Sequence, residues 1–564
     1  MIRRKVLILT AVLFLNPAFS FAQAGDTALK EKAYELLESL STQLSTLQSA
    51  ENRARIGSNI AWSLWTHDEK RARAILVAVG QDINTGLQPP DKDDPRGQTT
   101  FMVFLQLRGD TVERIAKYDP EFAFDFLNTT QPSYEQMPQP AWERERELTL
   151  RLAKQVASSN PDITLKLGRA ALALGPSEEF LVLLRSLLLR HREQGVTLYK
   201  ETVAEIRHSN LGQHYQLINF VRELTRLTPP LADEAAFREL INVLTTEALK
   251  SKCDGNFDDD YGVAFFCNQI GPMLAKMSKV DPRAAKLKHL APDEDEAEEP
   301  ENQERATAFI EMEELENARN LDGLLKLTEK YPSVRGNIYW RAFNLARREG
   351  ESERAEKIVA AYDQNDELKY HMLELIKNDK EMEKSSAADL DEIQRKAEAL
   401  TDTTQRVGFL LENAIRIGSN NRAAALKLLD QAVGFIEANK SPSMRTRTLA
   451  GVAALYCMEK SDRGLTMMES LMPKLNELVE AAIKLDGYDT NYVRDGEWNM
   501  SANGDLGEFL THISANAPYF AWCDFDRAVN TAAQFERPEI RMMAQLKLAQ
   551  AIVAGPPKRI RVDY

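Results

Sequence analysis

The feature that most constrains this chain is an apolar spacing of three, four and seven residues that recurs along its length. Groups that share one helical stripe under this spacing are Ile56, Ile60 and Leu64; Val407, Leu410, Leu411, Ala414 and Ile415; and Leu449, Val452, Ala453 and Tyr456. Such spacing is typical of amphipathic α-helices. The most strand-like run, residues 101–105, reads equally well as the start of a buried helix. We therefore predict an all-α fold.

The predicted helices come in pairs joined by short polar turns. Three pairs of arginines, each pair sixteen residues apart, mark the starts of a first and a second helix: Arg55 and Arg71, Arg406 and Arg422, and Arg447 and Arg463. Asp or Asn in the turn can cap the free N–H groups of the second helix, and proline fits the first helical position. Turns of this kind include Asp68-Glu69, Asp119-Pro120, Asn160-Pro161, Asp281-Pro282, Asn421-Arg422 and Asp524-Phe525.

Helix pairs that recur every 33 to 45 residues or so cannot bury their apolar faces alone and must stack on their neighbours. In helix length, turn length and the small residue after the turn (Ala72, Ala423 or Gly464) the chain resembles tetratricopeptide-type α-solenoids. That resemblance implies an α-solenoid of stacked antiparallel helix pairs. It assigns no particular ligand, because no unit carries the Trp–Leu–Gly–Tyr set of that family's first helix. An irregular helical bundle is the alternative.

The first 22 residues have the three-part layout of a secretory signal peptide. Arg3, Arg4 and Lys5 form its positive end, residues 6–15 are apolar apart from one threonine, and small residues precede a predicted cleavage site after Ala22. Cleavage after Ala24 is an alternative. A membrane anchor is the other interpretation, but ten apolar residues span only about half a bilayer as helix. We expect an exported, periplasmic or secreted protein with no stable membrane insertion after cleavage.

The charge of the chain is strongly acidic and unevenly distributed. The net charge is −14, and it becomes −17 without residues 1–22, which hold three cations and no acid. A surface of this sign repels phosphate backbones and argues against nucleic acid as a partner. Residues 293–304 contain eight acids and no base, which predicts a flexible linker at 292–304. We expect helical arrays at 25–291 and 305–555, and a basic tail at 556–564.

Four cysteines are few for an exported chain of this size, so disulfides cannot be what holds the fold together. Cys253 and Cys267 lie fourteen residues apart around an acidic segment, and a disulfide between them would clip that loop. Two free thiols there are the alternative. Cys457 and Cys523 lie in apolar helical stretches, where a buried free thiol is the commoner state.

Three loops interrupt the helical pattern, at residues 84–97, 254–262 and 486–507. Long loops at one edge of a solenoid often form its binding rim. The candidate ligand-binding residues are Tyr488, Asp489, Tyr492, Asp495, Glu497 and Trp498 in the third loop, and Asp258 and Asp260 in the second. The second loop has acids at alternate positions, as a calcium loop does, but Asp259 and Phe265 replace the glycine and the final acid that such a loop needs. We predict no metal and no cofactor.

Two classes of function remain open. The favoured hypothesis is an exported non-catalytic helical-repeat scaffold that binds a peptide, a protein or a cell-envelope component. The alternative is an exported carbohydrate-active enzyme, in which one loop carboxyl donates a proton while another activates water or attacks the substrate. Asp495 and Glu497 are the right residue types for that chemistry, but spacing in sequence does not give the separation between carboxyl groups. No catalytic residue is assigned.

Overall fold

The structure of the protein is a computed structural model. It describes residues 17–90, 95–132, 139–209, 211, 215–227, 229, 231–251, 253, 261–290, 314–315, 318, 320–349, 351–363, 365–385, 390–418, 421–438, 442–488, 490–502 and 504–557. The chain divides into two compact units, one formed by Met1–Gly86 with Asn320–Tyr564 and the other by Leu87–Arg319. These units do not follow the predicted arrays at 25–291 and 305–555, because the first three helices group with the last ones. The predicted acidic linker at 292–304 falls in a segment that is not described.

The first unit is helical apart from one short hairpin in its described part. Its N-terminal helices are α1 (Pro17–Gln43), α2 (Ala50–Leu64) and α3 (Glu69–Gly86). Its C-terminal helices are α14 (Leu321–Lys330), α15 (Arg335–Arg348), α16 (Ser352–Ala361), α17 (Asp366–Ser385), α18 (Leu390–Ala399), α19 (Thr403–Gly418), α20 (Arg422–Glu437), α21 (Pro442–Met458), α22 (Arg463–Lys484), α23 (Asp505–Ala515), α24 (Ala517–Cys523), α25 (Phe525–Ala532) and α26 (Pro538–Ala554). Strands β1 (Val493–Arg494) and β2 (Glu497–Trp498) lie between α22 and α23.

The second unit is helical throughout its described part. Its helices are α4 (Pro95–Ile115), α5 (Pro120–Thr129), α6 (Gln139–Val156), α7 (Pro161–Ala173), α8 (Glu178–Arg190), α9 (Arg192–His208), α10 (Tyr215–Arg226), α11 (Glu234–Lys250), α12 (Tyr261–Ile270) and α13 (Leu274–Val280). Short 3₁₀ segments at Gly271–Met273 and Pro282–Leu290 flank α13. The strand-like run at residues 101–105 is part of α4.

The predicted capping turns are confirmed at five helix starts. In each, a side-chain oxygen of Asp or Asn accepts a hydrogen bond from the backbone N–H three residues on. The capping residues are Asp68, Asp119, Asn160, Asn421 and Asp524. Because the first N–H groups of a helix have no partner inside it, such a cap fixes where the second helix of a pair begins.

Antiparallel neighbours pack through the predicted apolar stripes, which confirms an all-α fold of packed helix pairs. Ile56, Ile60 and Leu64 of α2 are fully buried, and α2 packs on α3. Packed pairs in both units include α6 with α7, α8 with α9, α14 with α15, α19 with α20 and α21 with α22. Since each pair also contacts a neighbouring element, the apolar faces are covered by stacking, as expected for a helical-repeat protein.

Five polar contacts between successive helix pairs share a sequence separation of 32 or 33 residues. These contacts are Gln194 with Asp162, Arg169 with Glu201, Arg207 with Glu239, Arg354 with Asp322, and Arg463 with Asp430. Exposed contacts of this kind contribute little stability each. Their constant separation nevertheless gives the structural period of the repeat in both units.

Within the first unit, helices from the two ends of the sequence pack together. Helix α26 lies against α1 and α2. Lys32 pairs with Asp526 at 2.5 Å. The side-chain amide of Gln550 donates to the carbonyl oxygen of Asn59 at 3.3 Å and to the hydroxyl of Ser63 at 3.2 Å. The core of this unit therefore depends on both ends of the chain.

Candidate functional site

The third loop forms a two-stranded antiparallel hairpin in which Val493 pairs with Trp498 and Arg494 with Glu497. Its two-residue turn is Asp495-Gly496, and both residues have positive φ angles, 52° and 79°. Hairpins favour such turns because their twist matches that of the strands, and Asp-Gly tolerates the left-handed backbone well. Asp495 consequently projects at the exposed tip, whereas Glu497 and Trp498 follow it into the interior.

The carboxylate of Glu497 binds the chain just ahead of helix α2, about 450 residues away in the sequence. It accepts hydrogen bonds from the backbone N–H of Gln48 at 2.7 Å and of Ser49 at 3.2 Å. The side-chain amide of Asn52 also donates to it, at 3.0 Å. The hydroxyl of Ser49, at the N-cap position, makes no capping bond itself. The carboxylate therefore binds the N-cap residue and the residue before it, at the positive end of the helix dipole.

Two further buried glutamates hold the same hairpin. Glu51 accepts from Arg55 at 2.9 Å and pairs with Arg494 of β1. Glu539, at the start of α26, accepts from the backbone N–H of Trp498 at 2.6 Å and from Arg537 at 2.9 Å. Burial leaves both side chains 1% exposed. We call the set Glu51, Asn52, Arg494, Glu497 and Glu539 the hairpin clasp.

The predicted rim residues separate into interior and surface positions. Tyr492 and Trp498 are buried, with their ring centroids 5.3 Å apart, and Glu497 is buried in the clasp. These three positions correct the expectation of an exposed rim, because their side chains fasten the hairpin to the helices. Tyr488 is 90% exposed and Asp495 is exposed at the turn. Asp489 lies outside the described residues, so its ligand-binding role stays a prediction.

The contacts of the clasp can be compared with what a carbohydrate-active enzyme needs from its carboxyl groups. A glycosidase needs two carboxyl groups that face a substrate and are free to exchange protons with it. Glu51, Glu497 and Glu539 are instead directed at backbone N–H groups, an amide and guanidinium groups of the protein itself. Asp495 stands in solvent on the far side of the turn. In this hairpin the buried glutamates therefore already have hydrogen-bond partners within the protein.

At the second loop, Cys253 and Cys267 form a disulfide with their Cα atoms 5.5 Å apart. Both cysteines are buried, and the imidazole of His289 hydrogen-bonds to the carbonyl oxygen of Cys253. The bridge ties α12 to the chain just ahead of the acidic segment. Asp258 and Asp260 belong to the part of this loop that the structure does not describe, so their role stays a prediction.

A groove of about 490 Å³ opens on the first unit between α1 and α3. Its lining residues are Ser41, Leu44, Ser45, Arg53, Arg71, Ala74, Ile75, Ala78, Val79, Gln81 and Asp82. Ile75 and Val79 form a buried apolar floor, while Ala74 and Ala78 are small and exposed. We call this feature the α1–α3 groove.

Two arginines give the α1–α3 groove a charged wall. Arg53 donates to Asp82 at 2.6 Å and to the carbonyl oxygen of Leu47 at 2.9 Å, which holds it in the wall. Arg71 is exposed and donates to the neutral hydroxyl of Ser41 at 3.0 Å. Counting both arginines and Asp82, the wall carries a net positive charge on an acidic protein.

A second groove, of about 340 Å³, lies in the second unit between α4 and α6. Beneath it Arg108, fully buried, pairs with Glu145 at 2.5 Å, and its other nitrogens donate to the hydroxyl of Thr130 at 2.9 Å and to the carbonyl oxygen of Leu127 at 2.7 Å. This groove carries both signs of charge, with Asp110, Arg144, Glu147 and Arg151 among its lining.

Sequence reasoning found neither groove. For the α1–α3 groove the available signal was Ala74 and Ala78, two small residues one helical turn apart on α3, next to the recurring arginine Arg71. Small residues after a turn were interpreted as positions of close helix approach. On α3 that residue is Ala72, which is fully buried, whereas Ala74 and Ala78 further along the helix are exposed and leave an open space.

The described residues bear on metal binding and on membrane insertion. Among these residues no cluster of three or more His, Cys, Asp or Glu side chains has an arrangement that could hold a metal ion. No helix in the described part combines the length and the apolar character needed to cross a bilayer.

Comparison with known proteins identifies no family for this chain. No family model matches the chain, and no curated protein matches it either. A solved structure described as "Circular tandem repeat protein with novel repeat topology and enhanced subunit contact surfaces" aligns with 93% of this chain and 96% of its own, at 12% identity and a TM-score of 0.14. A TM-score this low supports no inference about the fold or function of this chain. The assignment of a helical-repeat fold therefore rests on the packed helix pairs described above.

Proposed function

We propose that this protein is an exported, non-catalytic helical-repeat scaffold that binds a short acidic peptide segment of a partner protein in the α1–α3 groove. The observation that carries the proposal is the groove itself, with an apolar floor, an open alanine edge and an arginine wall. Its volume of about 490 Å³ falls in the range of pockets that accept small ligands.

The shape of the α1–α3 groove favours a narrow, extended occupant. Leu44 lines the groove and is partly exposed, Ile75 and Val79 are 7% and 2% exposed at its base, and Ala74 and Ala78 leave space beside them. An apolar side chain of a peptide would gain burial on that floor. Ser45 and Gln81 also line the groove, and their side chains can hydrogen-bond to a peptide backbone.

The charge of the groove favours an acidic occupant. Arg71 presents a planar guanidinium whose hydrogen bond to Ser41 leaves its charge unbalanced. A carboxylate of the peptide would form a charge-assisted, bidentate hydrogen bond there. The remaining protein surface is acidic overall and would repel a wrongly placed acidic segment, so the positive wall would also orient the peptide.

Three observations support the other parts of the proposal. The clasp directs its buried glutamates at groups of the protein itself, which favours a scaffold over an enzyme. The N-terminal pattern and the Cys253–Cys267 disulfide both fit an oxidising compartment outside the cytoplasm. The net negative charge disfavours nucleic acid and anionic lipid surfaces as partners.

The test places a photo-crosslinking amino acid at Ala78, inside the groove, and in a matched variant at Val77. Val77 lies on the same helix, is 56% exposed and does not line the groove. The protein is exposed to envelope extract, and crosslinked peptides are identified by mass spectrometry. A synthetic copy of the peptide is then titrated against wild type and against the variants Ala78→Trp, Val77→Trp and Arg71→Ala.

We expect crosslinks at position 78 that exceed those at position 77 and map to one acidic segment. Ala78→Trp fills the groove and should weaken the peptide at least about tenfold, as should Arg71→Ala, while Val77→Trp should leave its affinity unchanged. Equal crosslinking at both positions, or an affinity insensitive to Ala78→Trp, would remove the groove as the binding site. Binding of a basic or neutral peptide with no effect of Arg71→Ala would contradict the predicted charge of the occupant.

A further inference from the structure

The two cysteines outside the disulfide, Cys457 and Cys523, meet at one place in the first unit. Cys457 is near the C-terminal end of α21 and Cys523 is the last residue of α24, and these two helices pack together. Their thiols are free in the structure. The sequence predicts a buried free thiol at each position, because both cysteines lie in apolar helical stretches.

The turn after α21 brings the two thiols together. The sulfur of Cys523 hydrogen-bonds to the carbonyl oxygen of Ser461 at 3.5 Å. The same oxygen accepts from the backbone N–H of Gly464 at 3.1 Å. A Cβ atom built on Gly464 would lie 2.5 Å from the sulfur of Cys457. Both sulfurs thus lie against the same four-residue turn, and only glycine at position 464 leaves room for the Cys457 thiol.

The two thiols are chemically unequal. Cys457 is 3% exposed, whereas Cys523 is half-buried and reaches the surface. A hydrogen bond between the two side chains raises the pKa of the Cys457 thiol, as burial also does, and the same bond lowers the pKa of Cys523. Arg527 lowers the pKa of Cys523 further, against the opposing effects of burial, Asp524 and Asp462. The accessible thiol is therefore the better nucleophile.

We infer that Cys457 and Cys523 are a second disulfide site, closed by exchange with a small-molecule or protein disulfide of the glutathione class. The site is independent of the α1–α3 groove, although the supply of oxidant in the cell rests on the proposed export. Closure links the ends of α21 and α24 and encloses the docked hairpin within a covalent loop. A cross-link over a loop of that length stabilises the fold by restricting the unfolded chain.

The exchange proceeds in two steps. The Cys523 thiolate attacks one sulfur of oxidised glutathione, which forms a mixed disulfide and releases one glutathione thiolate. The Cys457 thiol then gives its proton to water or buffer and attacks the Cys523 sulfur, which forms the protein disulfide and releases the second glutathione. The two protein sulfurs lose two electrons in total, glutathione disulfide gains two, and the two thiol protons end on the two glutathione molecules.

The test incubates the folded, purified protein with oxidised glutathione, alongside the variants Cys457→Ser and Cys523→Ser. Free thiols are then counted by maleimide labelling in denaturant, and disulfides are located by non-reducing peptide mapping. For wild type we expect the two free thiols to disappear, a cross-linked peptide joining residues 457 and 523, and a higher melting temperature than the reduced protein. Cys457→Ser should stop at a glutathione adduct on Cys523, and Cys523→Ser should leave Cys457 unmodified.

Three results would overturn the inference. Wild type could stop at the same glutathione adduct as Cys457→Ser, which would mean that the sulfurs cannot reach bonding geometry. Both thiols could stay unreacted under conditions that modify Cys523 in Cys457→Ser. A cross-link between two molecules through Cys523 would place the reaction at the surface instead. The Cys253–Cys267 bridge should stay intact throughout and serves as the internal reference.

Discussion

Each unit contains a buried carboxylate that joins helices, but the two do so with different partners. In the second unit, Glu145 pairs with Arg108, 37 residues away, in a complete internal ion pair. In the first unit, Glu497 accepts from the backbone N–H groups of Gln48 and Ser49, about 450 residues away. The ion pair brings its own counter-charge, whereas Glu497 accepts hydrogen bonds from neutral N–H groups at the start of α2. Deletion of one partner should therefore be far more harmful in the second unit.

The largest effect is expected for Arg108→Met. It leaves Glu145, 2% exposed, without its counter-charge, which should destabilise the second unit by about 3–5 kcal/mol. The measurement is chemical unfolding with hydrogen exchange of the α6 amides. The double variant Arg108→Met/Glu145→Leu should recover most of the loss, because no charge stays buried. Arg151→Ala, which breaks the exposed pair with Glu113, is the control and should cost less than about 1 kcal/mol.

A loss smaller than about 1 kcal/mol in Arg108→Met would show that water replaces the guanidinium, and the contrast between the units would then disappear.

Glu497→Ala should have the next largest effect, a loss of about 2–3 kcal/mol in the first unit, because buried donors lose their acceptor. Faster hydrogen exchange at the amides of Gln48 and Ser49 would be the specific signature. Asp495→Asn is the matched control on the same hairpin. Since Asp495 is exposed at φ 52° and asparagine tolerates that backbone, the control should unfold like wild type. Unchanged hydrogen exchange at the amides of Gln48 and Ser49 in Glu497→Ala would contradict their hydrogen bonds to Glu497.

The cost of overpacking at a helix contact, by contrast, should be similar in the two units. A Cβ on Gly464 would lie 2.4 Å from the carbonyl oxygen of Ala453, and one on Gly195 would lie 2.5 Å from the backbone nitrogen of Leu188. Alanine at either glycine should cost about 1–3 kcal/mol by overpacking, seen as a lower melting temperature. Gly434→Ala is the control. Nothing lies within 4 Å of its added Cβ, so the better helix propensity of alanine should stabilise by about 0.5–1 kcal/mol.

Similar melting temperatures for the Gly464→Ala and Gly434→Ala variants would mean that α21 and α22 separate to admit a methyl group, against the close contact described here.

The smallest effect is a shared dependence on acid. Hydrogen bonds from Arg283 hold the pKa of Asp281 below its ordinary value in the second unit, and hydrogen bonds from Arg527 do so for Glu469 in the first. A carboxyl whose pKa is lowered by folding stabilises the protein above its unfolded pKa, and that contribution is lost as the pH falls through the folded value. Each contribution should be under about 1 kcal/mol at neutral pH.

Unfolding measured from pH 7 to pH 3 should therefore show both units losing stability below about pH 4.5. Asp281→Asn should flatten this dependence in the second unit alone, and Glu469→Gln in the first unit alone. If either variant altered the pH dependence of both units, the local ion pairs could not be its cause.

The sequence predicted the parts of the fold that depend on local rules. Helical stripes and capping turns involve residues three or four apart, so Asn160 and Asn421 could be interpreted as caps before any contact was known. The hairpin was missed, because two-residue strands are too short to show alternation. The partners of Glu497 could not be predicted, since nothing near residue 497 indicates that it meets residue 48. Its loop has the same composition, acids with aromatics, as an exposed binding rim.

Unit boundaries and the two grooves were beyond sequence reasoning for a related reason. The helical period indicates which face of a helix is buried, but it does not indicate which other helix covers that face. Charge density placed a boundary in the acidic segment, whereas the packing of α26 on α1 brings the first three helices into one unit with the last ones. Arg108 had no local signal beyond being a lone cation that follows an apolar run.

The contact of α1 with α26 has a consequence for how the chain is made. Synthesis proceeds from the N-terminus, so α1 is made about 500 residues before α26, against which it packs. During that interval its apolar face needs temporary shelter, from a chaperone or from non-native neighbours. A nascent chain stalled before residue 538 would keep that face exposed. Helix α1 is therefore made first but completes its packing last.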